Sequence, residues 1–543
     1  MPKITLNKKY LMSLVGKVSE KKLAEQLNKL GMEVEELGNE SIALEVSANR
    51  PDLLGAVGVA RAVKNYMHRS ERFRYDKEME ESSISISVGR KVEKVYPFIS
   101  AIIARGDRIG NDALKDIIDF TEKLTATYGR SRKRLAIGLH DLKAVKPPLC
   151  YDAYKDSEFV PLNEKKDIKY SEILEKLDIG IAYSSIIENG RNGYPAIRDS
   201  EGTMALIPVI NSERTKVSPE TSEILVDMTG TSKYLVEKAA DLIAAMFMDL
   251  EWKVEKVGIV YGERMEAFPK MEKRELYIPL LDIEEELGVK LGFNNALSLA
   301  NKMGYDAAYI DGKVRFIVPQ YRLDIIDWQD VMEDMAIAYG YDYIVPLTVP
   351  AVGMGKIEER SVRFEKLSSI MVGMGFSESM NSYLTNEGYN FDNMLVKKRS
   401  DYVKLKDPKA SSLTMMRTWL LPSLLRCIGL SVHEKMPQRL FELEMAFRVE
   451  SEKPVEEYHI AAVETDSKAN FNKIKAVVES IAYMLGLKFE IKKLEHESFI
   501  PGRCAGIYMN GAKIGFFGEL HPQVMSNFGV EEPSVAAEII LGS

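Results

Sequence analysis

The chain has 543 residues, 45% hydrophobic and 28% charged, the proportions of a folded globular protein and not of a disordered or collagen-like one. At about 100–200 residues per domain this length fits roughly three to five domains and does not fit one. With 73 Lys and Arg against 81 Asp and Glu the net charge is -8, which excludes a wholly basic nucleic-acid-coating protein and leaves any RNA contact local or shared with a partner.

In chain order, a short strand at the N-terminus precedes a helix from Ser19, a good N-cap, whose Leu23, Leu27 and Leu30 share one face before Gly31 stops it. An extended segment and an alanine-bearing helix follow. Charged residues from Arg72 to Glu81 mark a first boundary, and Arg264 to Glu275, interrupted by Pro269, mark a second. The next helix, capped by Asn294 or Asn295, carries Leu299 and Met303 and ends at Gly304. Gly353-Met354-Gly355, after Pro346 and Pro350, reads as a linker. Helices then alternate with strand-like runs such as Arg439–Leu443 and Ile514–Gly518. Four blocks result: 1–80, 81–270, 271–352 and 353–543.

Blocks one and three share an internal pattern. Leu30-Gly31-Met32-Glu33 aligns with Met303-Gly304-Tyr305-Asp306, and Val46 to Asp52 aligns with Val318 to Asp324. Counting six, nine and ten residues beyond the shared aspartate, block one has Gly58, Arg61 and Ala62, whereas block three has Asp330, Glu333 and Asp334. Positions i, i+3 and i+4 lie on one helix face, so these three, joined by Asp324, can gather as an acidic cluster suited to Mg²⁺, a hard cation that keeps several waters. The same carboxylates can instead complement the positive end of the helix; spacing leaves both readings open. Zinc, with no Cys or His at hand, does not fit.

The three cysteines, Cys150, Cys427 and Cys504, form no CxxC pair, so neither a disulfide framework nor a zinc finger is expected. No apolar run reaches the ~18 residues of a membrane span, and the N-terminus lacks a signal peptide's apolar stretch. A cytoplasmic protein with no membrane association is expected. Phosphate-cradling GxxxxGK[ST], GxSxG, HExxH and strand-linked GxGxxG motifs are all missing.

Asn49-Arg50-Pro51-Asp52-Leu53-Leu54-Gly55, Pro319-Gln320-Tyr321-Arg322-Leu323-Asp324, Glu333 to Tyr341, and Pro501-Gly502-Arg503 leading to Gly515-Phe516-Phe517-Gly518-Glu519-Leu520-His521-Pro522 closely resemble the phenylalanyl-tRNA synthetase beta-subunit family, over nearly the whole chain. The form resembled is archaeal and eukaryotic, without the OB-fold insertion and C-terminal anticodon-binding domain of the longer bacterial subunits. The resemblance implies an α+β multidomain fold: helical, nucleic-acid-binding-like repeats (1–80, helix-turn-helix-like, and 271–352, Mg-binding), an α/β editing domain (81–270), and an inactive class II synthetase-like antiparallel sheet domain (353–543). It implies an alpha2-beta2 ligase in which the alpha subunit binds most of the ATP and charges tRNA(Phe) with phenylalanine.

In this family Mg²⁺ is held through positions matching Asp324, Asp330, Glu333 and Asp334. The editing domain hydrolyses mischarged Tyr-tRNA(Phe); its matching strings are Arg134 to Leu142, Pro208 to Ser212 and Leu225 to Thr231. Within them Asp227 and Thr229, two apart on a strand, face the same side and can recognise the tyrosine hydroxyl. Asn211 and Ser212 can position water or the terminal adenosine, and His140 is a further candidate. Asp, Thr and Gly at a strand end also make ordinary turns, and His140-Asp141 also suits a satisfied loop pair. Arg417 is expected to be structural or interfacial and not an ATP contact. A non-enzymatic RNA-binding scaffold is the alternative function, and a free-standing editing hydrolase, which would not need block four, is a second.

Overall fold

Ile4 and Leu6 are buried while Lys3, Thr5 and Asn7 face outward, and this two-residue period makes Lys3–Asn7 strand β1. The computed structural model describes residues 2–67, 75, 79–349, 353–410 and 412–542. Two units, Met1–Thr348 and Val349–Ser543, divide it.

After β1 come α1 (Lys8–Val15), α2 (Glu20–Lys29), β2 (Glu33–Leu37), β3 (Ser41–Glu45) and α3 (Ala56–Tyr66), with the strands paired in the order β1-β3-β2. The Ser19 hydroxyl caps α2, accepting from the Lys22 amide at 3.3 Å, and Leu23 and Leu27 are buried beneath it. A sheet accompanies the helices of the expected helix-turn-helix-like block: Ile42 and Leu44 are buried at strand spacing, so the expected N-terminal strand and the extended segment after α2 join an antiparallel sheet that supplies part of the core.

The middle of the first unit contains, in order, β4 (Glu81–Val88), β5 (Phe98–Arg105), α4 (Gly110–Thr127), β6 (Ala136–Asp141), β7 (Leu149–Tyr154), the short pair β8 (Glu158–Phe159) and β9 (Ile168–Lys169), α5 (Tyr170–Lys176), α6 (Asp178–Tyr183), β10 (Tyr194–Asp199), β11 (Gly202–Leu206), β12 (Ile210–Asn211), β13 (Glu223–Gly230), α7 (Lys233–Asp249), β14 (Lys253–Tyr261) and β15 (Arg264–Phe268). A ten-stranded mixed sheet orders them β12-β11-β10-β7-β4-β14-β5-β13-β6, with β15 on β14. Ala239, Ala240, Ile243, Ala244 and Phe247 of α7 are buried with it; small side chains let the helix approach the sheet closely.

The unit ends with β16 (Arg274–Pro279), α8 (Leu280–Leu287), α9 (Gly292–Lys302), β17 (Asp306–Ile310), β18 (Lys313–Val318) and α10 (Trp328–Tyr339), the strands ordered β16-β18-β17. Element order and strand order thus repeat those of residues 3–66. The cap expected at Asn294 or Asn295 is not the one formed. Helix α9 starts at Gly292, and the Glu284 carboxylate accepts from the Leu291 and Gly292 amides at 2.9 and 2.8 Å, leaving Asn295 to donate to the Leu291 carbonyl. One hydrophobic cluster runs from Ile4 to Ala338, so the first three sequence blocks share a core. The boundary expected at 72–81 lies largely outside the described residues, as do residues 350–352 of the linker.

The second unit contains α11 (Glu359–Gly373), β19 (Ser377–Glu378), β20 (Leu384–Thr385), β21 (Met415–Met416), α12 (Leu421–Leu430), β22 (Gln438–Glu450), β23 (Lys453–Thr465), α13 (Phe471–Leu485), β24 (Glu490–Lys493), β25 (Phe499–Met509), β26 (Ala512–Leu520), α14 (Pro522–Phe528) and β27 (Ser534–Gly542). Its seven-stranded sheet, β19-β22-β23-β27-β26-β25-β24, is antiparallel except for β19. Phe441, Ile460 and Ala537 pack with α11 and α13 on one face, and Ala461, Val463 and Ala536 pack with α12 on the other. Arg417 is buried against the sheet, donating to Glu442 at 2.6 Å and to the Met445 carbonyl at 2.9 Å, a structural arginine. Among the described residues no helix is long and apolar enough to cross a membrane.

Candidate functional site

Strand β13 runs between β5 and β6, pairing Asp227 with Ala101 and Gly138 and Thr229 with Ile99 and Ala136. Because side chains alternate along a strand, Asp227 and Thr229 emerge on one face. Both are buried, and Asp227 Oδ1 and Thr229 Oγ1 have no hydrogen-bond partner. Leaving such an atom unpaired costs about 1–3 kcal/mol, so two side by side in a native fold ask for an explanation.

Both residues line a cavity of about 250 Å³. At the ~30 Å³ that liquid water occupies per molecule, this is room for several waters or one amino-acid side chain. Its walls are mainly apolar, from Ile137, Leu139, Leu206, Ile207, Val209 and Val217, with Arg132, Asn211 and Lys216 among the polar contributors. The second oxygen of Asp227 meets His140 Nε2 at 3.1 Å, while His140 Nδ1 lies 2.8 Å from the Thr215 hydroxyl. A neutral imidazole protonated on Nε2 satisfies both contacts, donating to the carboxylate and accepting from Thr215. His140 thereby fixes the Asp227 rotamer and leaves Oδ1 directed elsewhere.

Gly138 makes that pair possible. A Cβ there would lie 2.1 Å from Asp227 Oδ2 and 3.2 Å from His140 Nε2. Sequence reasoning missed Gly138 and Thr215 as members of the site.

Two expected residues do not line the cavity. Ser212 is buried, donates to the Val160 carbonyl at 3.3 Å and accepts from the Arg214 amide at 3.3 Å, so its hydroxyl holds a turn. His140 stands behind Asp227. Asn211 does line the cavity, anchored by its amide donating to the Leu139 carbonyl at 3.2 Å.

The acidic residues of α10 occupy a separate region of the same unit. Arg322 makes a two-pronged contact with Asp324, at 2.9 and 2.7 Å, and its third nitrogen lies 2.6 Å from Asp334. The Tyr305 hydroxyl donates to that same Asp334 oxygen at 2.5 Å. Asp330 closes a capping box, one oxygen accepting from the Ile326 and Asp327 amides at 2.6 and 2.8 Å. Glu333 is exposed. The expected four-carboxylate cluster is therefore not assembled, and among the described residues no three His, Cys, Asp or Glu side chains converge as a metal cage. Asp324 and Asp334 are engaged by one guanidinium; the second oxygen of Asp330 and the carboxylate of Glu333, one turn apart, make no hydrogen bond or ion pair among the described residues. Two such oxygens fit Mg²⁺, which is commonly held by one or two carboxylates and several waters.

Three family models match successive stretches: the B3/4 domain at residues 81–246, the tRNA synthetase B5 domain at 277–341, and the phenylalanyl tRNA synthetase beta chain CLM domain at 345–541. The phenylalanine–tRNA ligase beta subunit of Methanocaldococcus jannaschii is 33% identical, over 99% of this chain and 100% of that one. That of Methanococcoides burtonii is 34% identical, over 100% of both chains. Among solved structures, an N-terminal fragment of the phenylalanyl-tRNA synthetase beta subunit from Pyrococcus horikoshii is similar with a TM-score of 0.59 and 29% identity, covering 62% of this chain and 99% of that one.

Proposed function

The chain belongs to the phenylalanine–tRNA ligase beta-subunit family, and from that premise we propose that it works in the cytoplasm beside an alpha subunit, in an alpha2-beta2 assembly that attaches phenylalanine to tRNA(Phe) at the expense of ATP. The alpha subunit binds ATP and carries out charging, with this chain as scaffold and editor. The blocks 1–80, 81–270, 271–352 and 353–543 serve as its functional modules.

Editing takes place in the cavity beside β13. The observation that carries this reading is the pair of buried, unpartnered oxygens on Asp227 and Thr229 in an otherwise mainly apolar cavity. A tyrosine side chain entering it donates its phenol proton to Asp227 Oδ1 and accepts from the Thr229 hydroxyl. Phenylalanine displaces water from the same oxygens and returns nothing, so they stay unpaired; a polar site of this kind rejects the analogue lacking the hydroxyl by factors of about 10⁴–10⁵ in favourable cases. Asn211 orients the water that attacks the ester carbonyl. The bond to the ribose oxygen then breaks and that oxygen takes a proton, releasing tyrosine and the free tRNA end. His140 acts through Asp227 and Ser212 through the fold of the turn.

Asp330 and Glu333 would hold Mg²⁺ at the start of α10, with Asp324 and Asp334 adding negative charge around Arg322. Bound there it would supply electrostatic stabilisation, and no catalytic step of this chain runs through it.

Co-expression with an alpha chain, followed by deacylation of Tyr-tRNA(Phe), tests the editing assignment. Asp227→Ala should lower the rate by about two orders of magnitude or more, the scale of losing one charged hydrogen bond together with its orientation. A rate equal to the parent's would reject it. The RNA-binding scaffold alternative predicts no deacylation by the parent complex.

A further inference from the structure

Between α4 and β6 the chain runs Arg130-Ser131-Arg132-Lys133-Arg134, four cations in five residues on a chain of net charge -8. The backbone of this run is held in an unusual form. Arg130, Ser131 and Arg132 all have positive φ, at 48°, 53° and 64°. Left-handed backbone costs an ordinary residue about 1–2 kcal/mol, and three in succession persist only where the surroundings over-determine them.

Those surroundings are present. The Ser131 and Arg132 amides donate to the carbonyls of Ala126 and Thr125 at 3.0 and 3.1 Å, and the Arg134 amide donates to Gly129 at 2.8 Å. The Tyr96 hydroxyl donates to the Arg132 carbonyl at 2.5 Å, and Thr231, just past β13, donates to the Lys133 carbonyl at 3.0 Å. The turn is thus tied to the end of the strand that carries Asp227 and Thr229.

The result is a fixed display of charge beside the cavity. Arg132 lines it; one terminal nitrogen is anchored to the Pro208 and Val209 carbonyls at 3.0 and 2.8 Å, and the guanidinium lies 4.5 Å from the Tyr183 ring centre. Its other terminal nitrogen and Nε make no hydrogen bond among the described residues. Arg130 and Lys133, within two positions, are exposed and have no ion pair among the described residues. Lys216 also lines the cavity, but its ammonium is held by Asn163 and Glu213 at 2.9 and 3.2 Å. Guanidinium forks and ammonium groups placed this way suit phosphate oxygens.

We propose that Arg130, Arg132 and Lys133 form a phosphate-binding rim that receives the backbone of a single-stranded RNA 3′ end and sets how far the attached aminoacyl group enters the cavity. This rests on the hydrolytic assignment for its purpose, though not for its detection. The rim gathers binding energy from the non-reacting part of the substrate, which positions the ester without contacting it.

The probe is a short, 5′-labelled single-stranded RNA titrated into the full complex, carrying either the native chain or the exposed-residue variants Arg130→Ala/Lys133→Ala and Arg130→Glu/Lys133→Glu. Loss of two phosphate contacts should weaken binding about tenfold and make the slope of log affinity against log salt shallower by about 1.4, at about 0.7 per contact for single strands. An unchanged slope overturns the rim. In deacylation, the variants should raise KM for Tyr-tRNA(Phe) while kcat holds, and the loss on tRNA should exceed the loss on phosphate-free tyrosyl-adenosine at least tenfold. Equal losses on both substrates also overturn it. Because the titration requires no hydrolysis, a complex that binds RNA through the rim yet deacylates nothing defeats the editing assignment alone.

Discussion

Residues 3–66 and 274–339 share an order of elements and a strand order, and each presents an Arg-x-Asp fork: Arg50 on Asp52 at 2.8 and 2.9 Å, Arg322 on Asp324 at 2.9 and 2.7 Å. Beyond the fork they part. In the first copy Arg61 turns back to Asp52 at 3.4 Å, reaches Asp249 at 2.5 Å and stacks 3.5 Å from the Tyr321 ring centre, while Tyr75 donates to Asp249 at 2.6 Å. In the second, the corresponding helix position is Glu333, exposed. Gly58, which stands where the second copy has Asp330, admits no side chain, since a Cβ would lie 1.7 Å from the Asp52 carbonyl oxygen. One backbone pattern therefore supports two outcomes. A cation on the helix closes the fork into the core, and a carboxylate there leaves acidic charge available at the surface.

The sharpest way to break the first outcome is Arg61→Ala. It takes the guanidinium from Asp249, which is almost fully buried, while Asp52 keeps the fork of Arg50; losing one partner of a buried ion pair costs about 3–5 kcal/mol. Glu333→Ala in the second copy should cost less than about 0.5 kcal/mol, as exposed substitutions usually do. Urea unfolding of the two variants measures the contrast, and equal midpoints would abolish it.

Acid titration gives the next largest effect. Burial opposes ionisation of Asp52, but the charge and hydrogen bonds of Arg50, with Arg61 and Arg322, outweigh it and hold the carboxyl at about 2 against an ordinary 3.8. A depressed folded pKa means stability that is complete above pH 3.8 and lost as pH falls through 2, about 2 kcal/mol across the window. Asp249 runs oppositely: burial pushes it up despite Arg61 and Tyr75, so its contribution declines as pH rises through the carboxylate range. Asp52→Asn should flatten the acid limb of a stability profile from urea unfolding below pH 4. If the limb keeps its slope, Asp52 is not the group responsible.

How much of this was legible in the sequence follows from the range of each interaction. The Ser19 cap, Leu23 and Leu27, and the repeat itself rest on neighbours a few residues apart, and they read directly. The strand and extended segments of each copy were read, but their pairing into a sheet was not, because β2 carries three glutamates and is largely exposed, which hides the two-residue period. Helix spacing allowed the acidic cluster without deciding it, and the resemblance supplied the four-residue set. Arg322 takes two of its members and Tyr305, twenty-nine positions before Asp334, adds a hydrogen bond that spacing cannot foresee. Asp227 and Thr229 were found through their string, whereas the pairing of Asp227 with His140, eighty-seven residues away, appears only when β13 and β6 are side by side. The run from Arg130 to Arg134 passed unremarked in the sequence, and the left-handed backbone of Arg130 to Arg132 could not be read there, since nothing in Arg or Ser favours that conformation.

The smallest predicted effect tests whether the second copy has a use for what the first closes off. If Asp330 and Glu333 hold Mg²⁺, the native chain gains about 1.4 kcal/mol at a Mg²⁺ concentration ten times Kd, because a ligand that binds only the folded state stabilises by RT ln(1 + [L]/Kd). Glu333→Arg restores the pattern of Arg61, offering Asp324, which already has Arg322, the second guanidinium that Asp52 receives from Arg61. Removing a surface carboxylate should itself shift stability by about 0.5 kcal/mol or less, while the Mg²⁺-dependent gain disappears. Asp330→Asn separates the metal from the helix cap, since an amide oxygen still accepts from the Ile326 and Asp327 amides while the charge is lost. Thermal unfolding with and without Mg²⁺ reads both variants. A gain that survives in each removes the metal from α10 and leaves its carboxylates with capping and the Arg322 fork as their whole purpose.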